Sequence, residues 1–217
     1  MKPFLVLEPH VSFGWCGERP VFLDLRRDRY FALPRDAEDG FRTLAEGEFL
    51  DPSSEVGAAL LGTGLFAQSA TPCRPEPAQT ERLTSDPVPT GRAGPIVTTG
   101  IWLSLLRIRR SLRTRPFVLV LEARRRREPA GSQDLDRLRE LAGTFLAARC
   151  LVPIKPKCLP DSLALRDWLA ARAGAPELVF GVKLHPFAAH CWVQWRGSVL
   201  NDAPDRVREF TPVFVLR

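Results

Sequence analysis

Three stretches in the second half of the chain place apolar residues three and four positions apart, the spacing of one helix face. They cover residues 96–127, with a break near Pro116, residues 132–150 and residues 158–174. Ser132 is the predicted N-cap of the middle stretch, because a serine side chain accepts a hydrogen bond from a first-turn N–H. The pattern predicts a layer of helices.

Runs rich in β-branched and aromatic residues follow the helical stretches and predict strands. They cover residues 178–182, 189–195, 198–202 and 210–216. The turn signal Arg196-Gly197 separates the middle two runs, so we predict a β-hairpin there. Helices packed on an antiparallel sheet give an α+β domain over residues 95–217.

The first third of the chain predicts a second, smaller domain. Strand-like runs at residues 4–7, 11–13, 21–25 and 30–33 precede two helical patterns at residues 36–46 and 54–67. Strands and helices of this size indicate a winged helix-turn-helix-like module over residues 1–67. Residues 68–94 are rich in proline, so we predict an extended linker that buries little surface.

The distribution of charge narrows the classes of function. The formal net charge of +6 is compatible with a nucleic-acid partner. However, residues 1–67 hold seven Lys or Arg against eleven Asp or Glu, and an acidic module cannot supply the phosphate contacts that DNA affinity requires. The basic residues concentrate in residues 92–127, which we expect to form a solvated face or a basic surface for an acidic leader, a nucleotide or a partner enzyme.

The composition also predicts a compartment. Five cysteines at irregular spacing do not form a disulfide framework, and no basic and then apolar leader opens the chain. The longest mostly apolar run, residues 95–106, is too short to span a bilayer. High Arg, Ala and Pro usage indicates a GC-rich bacterium. We therefore expect a bacterial cytoplasmic protein.

The candidate chemistry centres on Cys158, which comes just before Leu159 and Pro160 at the start of the last helical stretch. Proline is favoured in the first turn of a helix, so Cys158 is predicted at or next to the N-cap. There the helix dipole and free N–H groups lower the pKa of a thiol. The backbone N–H of Leu159 or Cys158 is a candidate donor to an oxyanion.

A nucleophilic cysteine needs a base and a group that orients the base. Of the three histidines, His190 lies in the predicted hairpin, and Asp202 follows it. A three-residue loop at residues 196–198 would place Asp202 on the face of His190, whereas a two-residue loop would turn it away. We therefore predict the longer loop or a bulge, and the candidate triad is Cys158, His190 and Asp202.

The segments CLPDSLAL, FGVKLHPFAAHCWVQWRG and VLND together resemble the maturation protease family of lasso peptide biosynthesis, often called the B protein. The resemblance is strongest over residues 150–217. It implies a transglutaminase-like (papain-like) cysteine protease domain with Cys158 as nucleophile, His190 as base and Asp202 as the orienting residue. Asp161 departs from the family pattern, which has a basic residue at this position.

The resemblance also implies an activity and a partner. The protein would bind the leader of a lasso precursor peptide and hydrolyse it from the core peptide. An asparagine-synthetase-like cyclase would then join the new amine to an Asp or Glu side chain. We expect no metal and no cofactor for this chemistry. ATP use is claimed for some family members, but the chain has no Walker-type glycine loop, so ATP stays open.

The run VFLDLRRDRYFAL resembles the RiPP recognition element, the peptide-recognition domain of pathways that process ribosomally made peptides. This domain precedes the catalytic one in fused lasso proteases and captures the leader as an added strand, between its third strand and third helix. Carried over to this chain, the groove is lined by Asp28, Arg29, Tyr30, Phe31, Leu33, Leu60, Leu61, Gly64 and Leu65.

Three alternatives stay open. The same triad supports acyl transfer, as in arylamine acetyltransferases, and a non-catalytic peptide-binding scaffold would carry the trio without alignment. A zinc site would use Cys158, His190, Cys191 and Asp202. Neighbouring strand residues face opposite sides, which argues against zinc. For the same reason we expect Cys191 to be structural, like the remaining cysteines.

Overall fold

The computed structural model of the chain describes residues 3–84, 88–125 and 134–217. The chain divides into two compact units between Gln79 and Thr80. Helices and antiparallel sheets occur together, so the predicted α+β class is confirmed. The assignment of a recognition role to one unit and a peptidase role to the other stays a prediction.

The strands of the first unit form two small antiparallel sheets. These strands are β1 (Phe4–Leu7), β2 (Val11–Cys16), β3 (Arg19–Asp24), β4 (Arg29–Ala32) and β5 (Phe66–Ser69). β1 pairs with β5, and β2, β3 and β4 form a meander in that order. Asp24 accepts hydrogen bonds from the backbone N–H groups of Arg26 and Arg27 at 2.8 and 3.0 Å, which closes the turn before β4. The four strands predicted within residues 4–33 are confirmed.

Two helices of the first unit, α1 (Arg35–Glu46) and α2 (Glu55–Gly62), lie between β4 and β5. The predicted extension of the second helix to residue 67 is wrong. Gly64 takes a left-handed φ of 69°, and β5 begins at Phe66. Phe66 is buried in the core of this unit, so tertiary packing overrides the helical pattern of the sequence. The winged helix-turn-helix assignment stays a prediction.

An aromatic cluster fills the core of the first unit. Phe41 of α1 is fully buried, and its ring centroid lies 4.8 Å from that of Phe13 and 4.9 Å from that of Phe22. Phe66 joins the cluster at 5.7 Å from Phe41. Edge-to-face contacts of this kind add to the burial of apolar area, so this cluster holds the two small sheets on α1.

The predicted linker of residues 68–94 differs from a free tether. The described residues between β5 and the next helix form no helix or strand, in agreement with their proline content. However, Arg74 donates to the backbone oxygen of Ala45 at 2.7 Å, and the N–H of Ala78 donates to Phe13 at 2.8 Å. The side chain of Arg74 and the backbone N–H of Ala78 thus attach this extended segment to backbone oxygens of the first unit.

The described helices of the second unit before its sheet are α3 (Pro95–Thr114), α4 (Phe117–Arg125), α5 (Leu135–Leu151) and α6 (Cys158–Ala170). Pro116 separates α3 from α4, and this predicted break is confirmed because the residue before a proline disfavours helical geometry. Asp134 caps α5, whereas Ser132 lies outside the described residues, as do Arg126 and Arg127.

One arginine of the basic stretch is not part of a solvated face. Arg124 is 9% exposed, and its guanidinium binds both carboxylate oxygens of Asp167 in α6, at 3.0 and 2.7 Å. It also donates to the backbone oxygen of Val120 at 2.7 Å. Paired N–H···O bonds fix the direction of both side chains, so α4 is attached to the helix that begins at Cys158.

The sheet of the second unit comprises β6 (Glu177–Leu184), β7 (Phe187–Trp195), β8 (Ser198–Val199) and β9 (Thr211–Leu216), with the short helix α7 (Pro204–Val207) before β9. The strand order is β8-β7-β6-β9, all antiparallel. Helix α6 packs against β7. No helix within the three described ranges is long and apolar enough to cross a bilayer.

We expect Phe41→Ala to lower the stability of the first unit by about 3–5 kcal/mol, because it removes a fully buried ring and leaves a cavity. Native-state hydrogen exchange at the amides of β2 and β3 measures this loss in the full chain. Phe49→Ala is the matched control, since Phe49 is 50% exposed and its removal should cost less than about 1 kcal/mol. Equal losses in the two variants would contradict the proposed core.

Candidate active site

Cys158 is the first residue of α6, so the predicted position at the helix start is confirmed. The residue as a whole is exposed. Pro160 follows two residues later, in the first turn, where the missing N–H of proline costs no helical hydrogen bond. The N–H groups of Cys158 and Leu159 belong to the same turn and have no intrahelical acceptor. The backbone N–H of Leu159 therefore remains the candidate donor to the oxyanion.

Asp161 fixes the chain as it enters α6. One carboxylate oxygen accepts from Arg149 at 3.0 Å, and the other accepts from the backbone N–H of Lys157 at 3.1 Å. Arg149 is 8% exposed and also donates to the backbone oxygen of Ile154 at 2.8 Å. Asp161 thus holds the segment before the cysteine through a partly buried ion pair.

His190 and Asp202 are in direct contact. Nε2 of His190 lies 2.6 Å from Oδ2 of Asp202, and both side chains are nearly buried. The second carboxylate oxygen accepts from the N–H of Ala203 at 2.8 Å. Burial acts to raise the pKa of Asp202, but the hydrogen bonds from His190 and Ala203 and the nearby charge of Arg206 outweigh it, so the pKa is lowered. Asp202 is therefore an anion at neutral pH.

The route of the chain to Asp202 differs from the prediction of a longer hairpin loop, which is wrong. Gln194 pairs with Val199 and Trp195 with Ser198, so the loop has two residues, Arg196 and Gly197, with φ of 47° and 77°. These positive values are those of a type I′ turn, which matches the twist of the flanking strands. Strand alternation alone would then turn Asp202 away from His190.

Asn201 resolves this conflict because its side chain ends the pairing with β7. The N–H of Leu200 still donates to the backbone oxygen of Val193 at 2.8 Å. The N–H of Val193 then donates to Oδ1 of Asn201 at 2.8 Å, in place of a backbone oxygen. Asp202 therefore lies beyond the strand, where its direction no longer follows from strand alternation.

A buried hydroxyl joins the helix of the nucleophile to the strand of the base. Ser162 of α6 is fully buried, and its Oγ donates to the backbone oxygen of Cys191 at 3.1 Å. Nδ2 of Asn201 donates to the same Oγ at 2.8 Å. Three segments of the site therefore share one hydrogen-bonded group, and Ser162 and Asn201 are positioning residues. Both lie inside the quoted segments CLPDSLAL and VLND, which was the only signal for them.

Cys158 interacts with His190 and with Cys191. Hydrogen bonds from the side chain of Cys191 and from His190 lower the pKa of Cys158 to about 4, against the opposing effect of burial. Hydrogen bonds to Asp202 and Cys158 raise the pKa of His190 to about 9. Between these two values the pair exists as thiolate and imidazolium. Since Asp202 binds Nε2, the other ring nitrogen, Nδ1, is the one left for Cys158.

Cys191, which we expect to be structural, is buried, and it also interacts with Cys158. The backbone N–H of Cys191 interacts with Cys158, and its backbone oxygen accepts from Ser162. Both groups of Cys191 therefore point away from β6 and towards α6, an arrangement that residue spacing cannot show.

Aromatic rings hold the imidazole of His190. The ring centroid of Phe210 lies 5.3 Å from it, and that of Trp192 lies 6.1 Å away with nearly parallel planes. Gly181 is opposite His190 in the sheet, and a Cβ atom there would lie 2.8 Å from the Trp192 ring and 2.9 Å from Phe210. Only glycine leaves room for both rings at this position.

The residues predicted to line the leader groove fall into two groups. Leu33, Leu60 and Leu65 are buried in the core of the first unit, so they cannot line an open surface. Their predicted direct role is wrong, because the apolar pattern of a helix and a strand marks their core faces first.

The other predicted groove residues remain accessible at the start of β4 and the end of α2. Asp28 and Arg29 are exposed, whereas Tyr30, Phe31, Leu61 and Gly64 are half-buried. β4 is the last strand in the order β2-β3-β4. Arg27 lies across this region: it donates to the backbone oxygen of Thr63 at 3.2 Å, and its guanidinium is 5.6 Å from the ring centroid of Phe31.

The part of the chain that the structure describes contains no set of metal ligands. No three or more His, Cys, Asp or Glu residues there are grouped so that they could hold a metal ion. The zinc alternative, which would combine Cys158, His190, Cys191 and Asp202, is therefore not supported by the geometry.

Comparison with known proteins identifies relatives of the second unit. Residues 102–215, just over half of the chain, match the profile of the family described as the transglutaminase-like superfamily. A segment of 51 residues is 45% identical to part of the microcin J25-processing protein McjB from Escherichia coli. This segment covers 24% of the present chain and 24% of the E. coli protein. No solved structure matches the chain significantly.

We expect the alkylation rate of Cys158 to rise through pH of about 4 and then stay level to about pH 9, because its thiolate forms above the lowered pKa. Mass spectrometry of the labelled peptide separates Cys158 from the other cysteines. His190→Ala removes a hydrogen bond and a positive charge, so the midpoint should move to higher pH. A wild-type midpoint at the ordinary thiol value of 9.0 would contradict the ion pair.

Proposed function

The chain belongs to the transglutaminase-like superfamily, and we propose that it is a cysteine peptidase that removes the leader from a lasso precursor peptide. The observation that carries the proposal is the 2.6 Å contact between His190 and Asp202, combined with the interaction of His190 with Cys158. A nucleophile, a base and an orienting carboxylate are thus connected in that order, the arrangement that acyl-transfer catalysis requires.

The first half of the reaction forms a thioester. The Cys158 thiolate attacks the scissile carbonyl carbon, and the carbonyl oxygen becomes an oxyanion. The N–H of Leu159 or Cys158 at the start of α6 stabilises this charge. His190, held as imidazolium by Asp202, then protonates the leaving amine. The leaving amine is the N-terminus of the core peptide.

The second half releases the leader. His190 is now neutral and accepts a proton from water, whose oxygen attacks the thioester carbon. The tetrahedral intermediate collapses, the C–S bond breaks, and the leader leaves as a carboxylic acid. Cys158 and His190 return to the ion pair. These steps need only the three side chains, the backbone donor and water, and the use of ATP stays open.

Two similarities support lasso precursors as the substrate class. The E. coli relative is a microcin J25-processing protein, and the segments around Cys158, His190 and Asp202 resemble the lasso maturation proteases. A free amine on the core peptide is the group that an asparagine-synthetase-like cyclase would join to a side-chain carboxylate. We therefore propose this cyclase as the partner and the bacterial cytoplasm as the location.

We assign leader capture to the first unit. β4 is an edge strand, and an extended peptide can add to such an edge through main-chain hydrogen bonds. Phe31, Tyr30 and Leu61 give this edge a half-buried apolar border, and Asp28 and Arg29 give it charge. Covalent attachment of the capture unit to the peptidase raises the effective concentration of the scissile bond.

We expect Cys158→Ala to abolish cleavage of a lasso precursor, by roughly 10³-fold or more, because it removes the nucleophile. Asp202→Asn should lower kcat by roughly 10²–10⁴-fold, because the imidazolium loses its counter-charge. The control is Asp205→Asn, an exposed carboxylate three residues away, with an expected change below about twofold.

Cleavage is followed by mass spectrometry of the two products, with and without ATP. Undiminished cleavage by Cys158→Ala would refute the mechanism. Transfer of the leader acyl group to an added amine in place of water would favour the acyltransferase alternative. Binding of the precursor without cleavage by the wild type would favour the scaffold alternative.

We expect the leader peptide to slow amide hydrogen exchange in β4 several-fold in the full-length Cys158→Ala variant, because an added strand protects the amides of the edge it joins. The exchange of β1 and β5 should stay unchanged. A scrambled leader of equal composition is the control. Protection confined to β1 or β5 would place leader capture on the other sheet of the first unit.

A further inference from the structure

Helix α3 has apolar side chains on two opposite faces. The helix packs against α5 and α6, and its buried residues are Ile101, Leu105 and Ile108. The opposite face carries large apolar side chains that are 41% to 44% exposed, namely Trp102, Leu103 and Leu106. A helix segment that is apolar on all sides is normally buried on all sides, so the second face is expected to be covered by a partner.

Three exposed arginines continue this face in the second half of α3: Arg107, Arg110 and Arg113. They are three residues apart, and Arg110 lies four residues after Leu106, so they share one side of the helix with the exposed apolar residues. None of the three forms an ion pair with another described residue. The sequence has no Asp or Glu from residue 87 to residue 121, so no carboxylate of this helix offsets their charge.

This arrangement fits a membrane surface poorly. A helix that lies in a membrane surface has its apolar side chains on one face and its cations on the other. In α3 the two kinds follow one another along a single face, so insertion of Leu103 and Leu106 would carry Arg107 and Arg110 towards the hydrocarbon. The face is therefore better suited to a protein.

A second copy of the chain is also a poor partner for this face. Contact between two copies of α3 would bring two sets of the same arginines together, and neither helix has a carboxylate to separate them. Like charges placed against each other across an interface cost free energy. The partner surface must therefore differ from α3 and must supply negative charge.

We propose that the exposed face of α3 is the docking surface for the enzyme that consumes the freed core amine, the cyclase proposed above. The patch on that enzyme would have apolar side chains next to carboxylates. The apolar half of α3 would fill the centre of the interface, and the arginines would pair with the carboxylates and select the partner. Trp and Arg, which this face combines, are frequent among the residues that dominate binding energy. The identity of the partner rests on the proposed function.

Docking at α3 would bring the second enzyme near the place where its substrate is made. Helix α3 packs against α6, which begins at Cys158, so the docking face and the proposed nucleophile belong to one layer of helices. Contact between two enzymes that act one after the other raises the effective concentration of the shared peptide at the second enzyme.

The test measures the affinity of the full-length chain for the purified cyclase from the same gene neighbourhood by isothermal titration calorimetry. We expect the double substitution Leu103→Gln, Leu106→Gln to weaken binding on the order of tenfold, because glutamine keeps the helix propensity of α3 without the apolar contact. The double substitution Arg107→Glu, Arg110→Glu should weaken binding by more than about tenfold, because it places like charges against the carboxylates of the partner.

Matched controls come from exposed positions of α5. Leu151 is 65% exposed and the side chain of Arg137 is 57% exposed, so Leu151→Gln and Arg137→Glu should change the affinity by less than about twofold. Precursor cleavage is measured for every variant and should equal that of the wild type, which shows that the active site is intact. A second arm replaces the cyclase by phosphatidylglycerol vesicles.

Three results would overturn the docking proposal: no binding of the cyclase, equal affinity of the wild type and both α3 variants, or vesicle binding that the α3 substitutions abolish. The last result would assign the face to a membrane. Binding of the cyclase that depends on α3, without precursor cleavage by the wild type, would contradict the proposed function alone. Cleavage without such binding would contradict the docking surface alone.

Discussion

The contact of His190 with Asp202 is the constraint on which the rest of the site depends. It fixes one ring nitrogen and raises the pKa of His190, and the resulting positive charge is one cause of the lowered pKa of Cys158. The neighbouring residues hold this contact in place. Phe210 and Trp192 flank the ring of His190, and Gly181 leaves room for both. Asn201 ends the strand pairing, so that Asp202 can turn towards His190. Asp202 thus acts on Cys158 through His190, which interacts with both residues.

Much of the architecture could be predicted because it follows from local patterns. Helical periodicity and Pro116 predicted the helices of the second unit. Runs of β-branched and aromatic residues predicted most of the strands. The start of α6 at Cys158 followed from the proline two residues later. The candidate triad was chosen by combining three short segments, and in the structure His190 interacts with both Asp202 and Cys158.

The wrong predictions have one cause. Each relied on a local sequence rule at a place where a side-chain contact or a distant segment determines the structure. A two-residue hairpin loop alone would turn Asp202 away from His190. Instead, the side-chain oxygen of Asn201 accepts the hydrogen bond from the N–H of Val193 in place of a backbone oxygen, and the strand pairing ends there. Phe66 lies in a strand and not in the predicted helix, because its ring packs in the aromatic core. Cys191, next to His190 in β7, also interacts with Cys158. None of these effects is visible in the spacing of residues along the chain.

The ion pair between Asp161 and Arg149 has a consequence for substitutions at these two positions. A basic residue at position 161 would face the guanidinium of a nearly buried arginine with a like charge. The two positions are therefore coupled, although they lie on different helices. A basic residue placed at position 161 without a change at position 149 would damage the entrance to α6, whereas an exchange of both charges would keep the attraction between the helices.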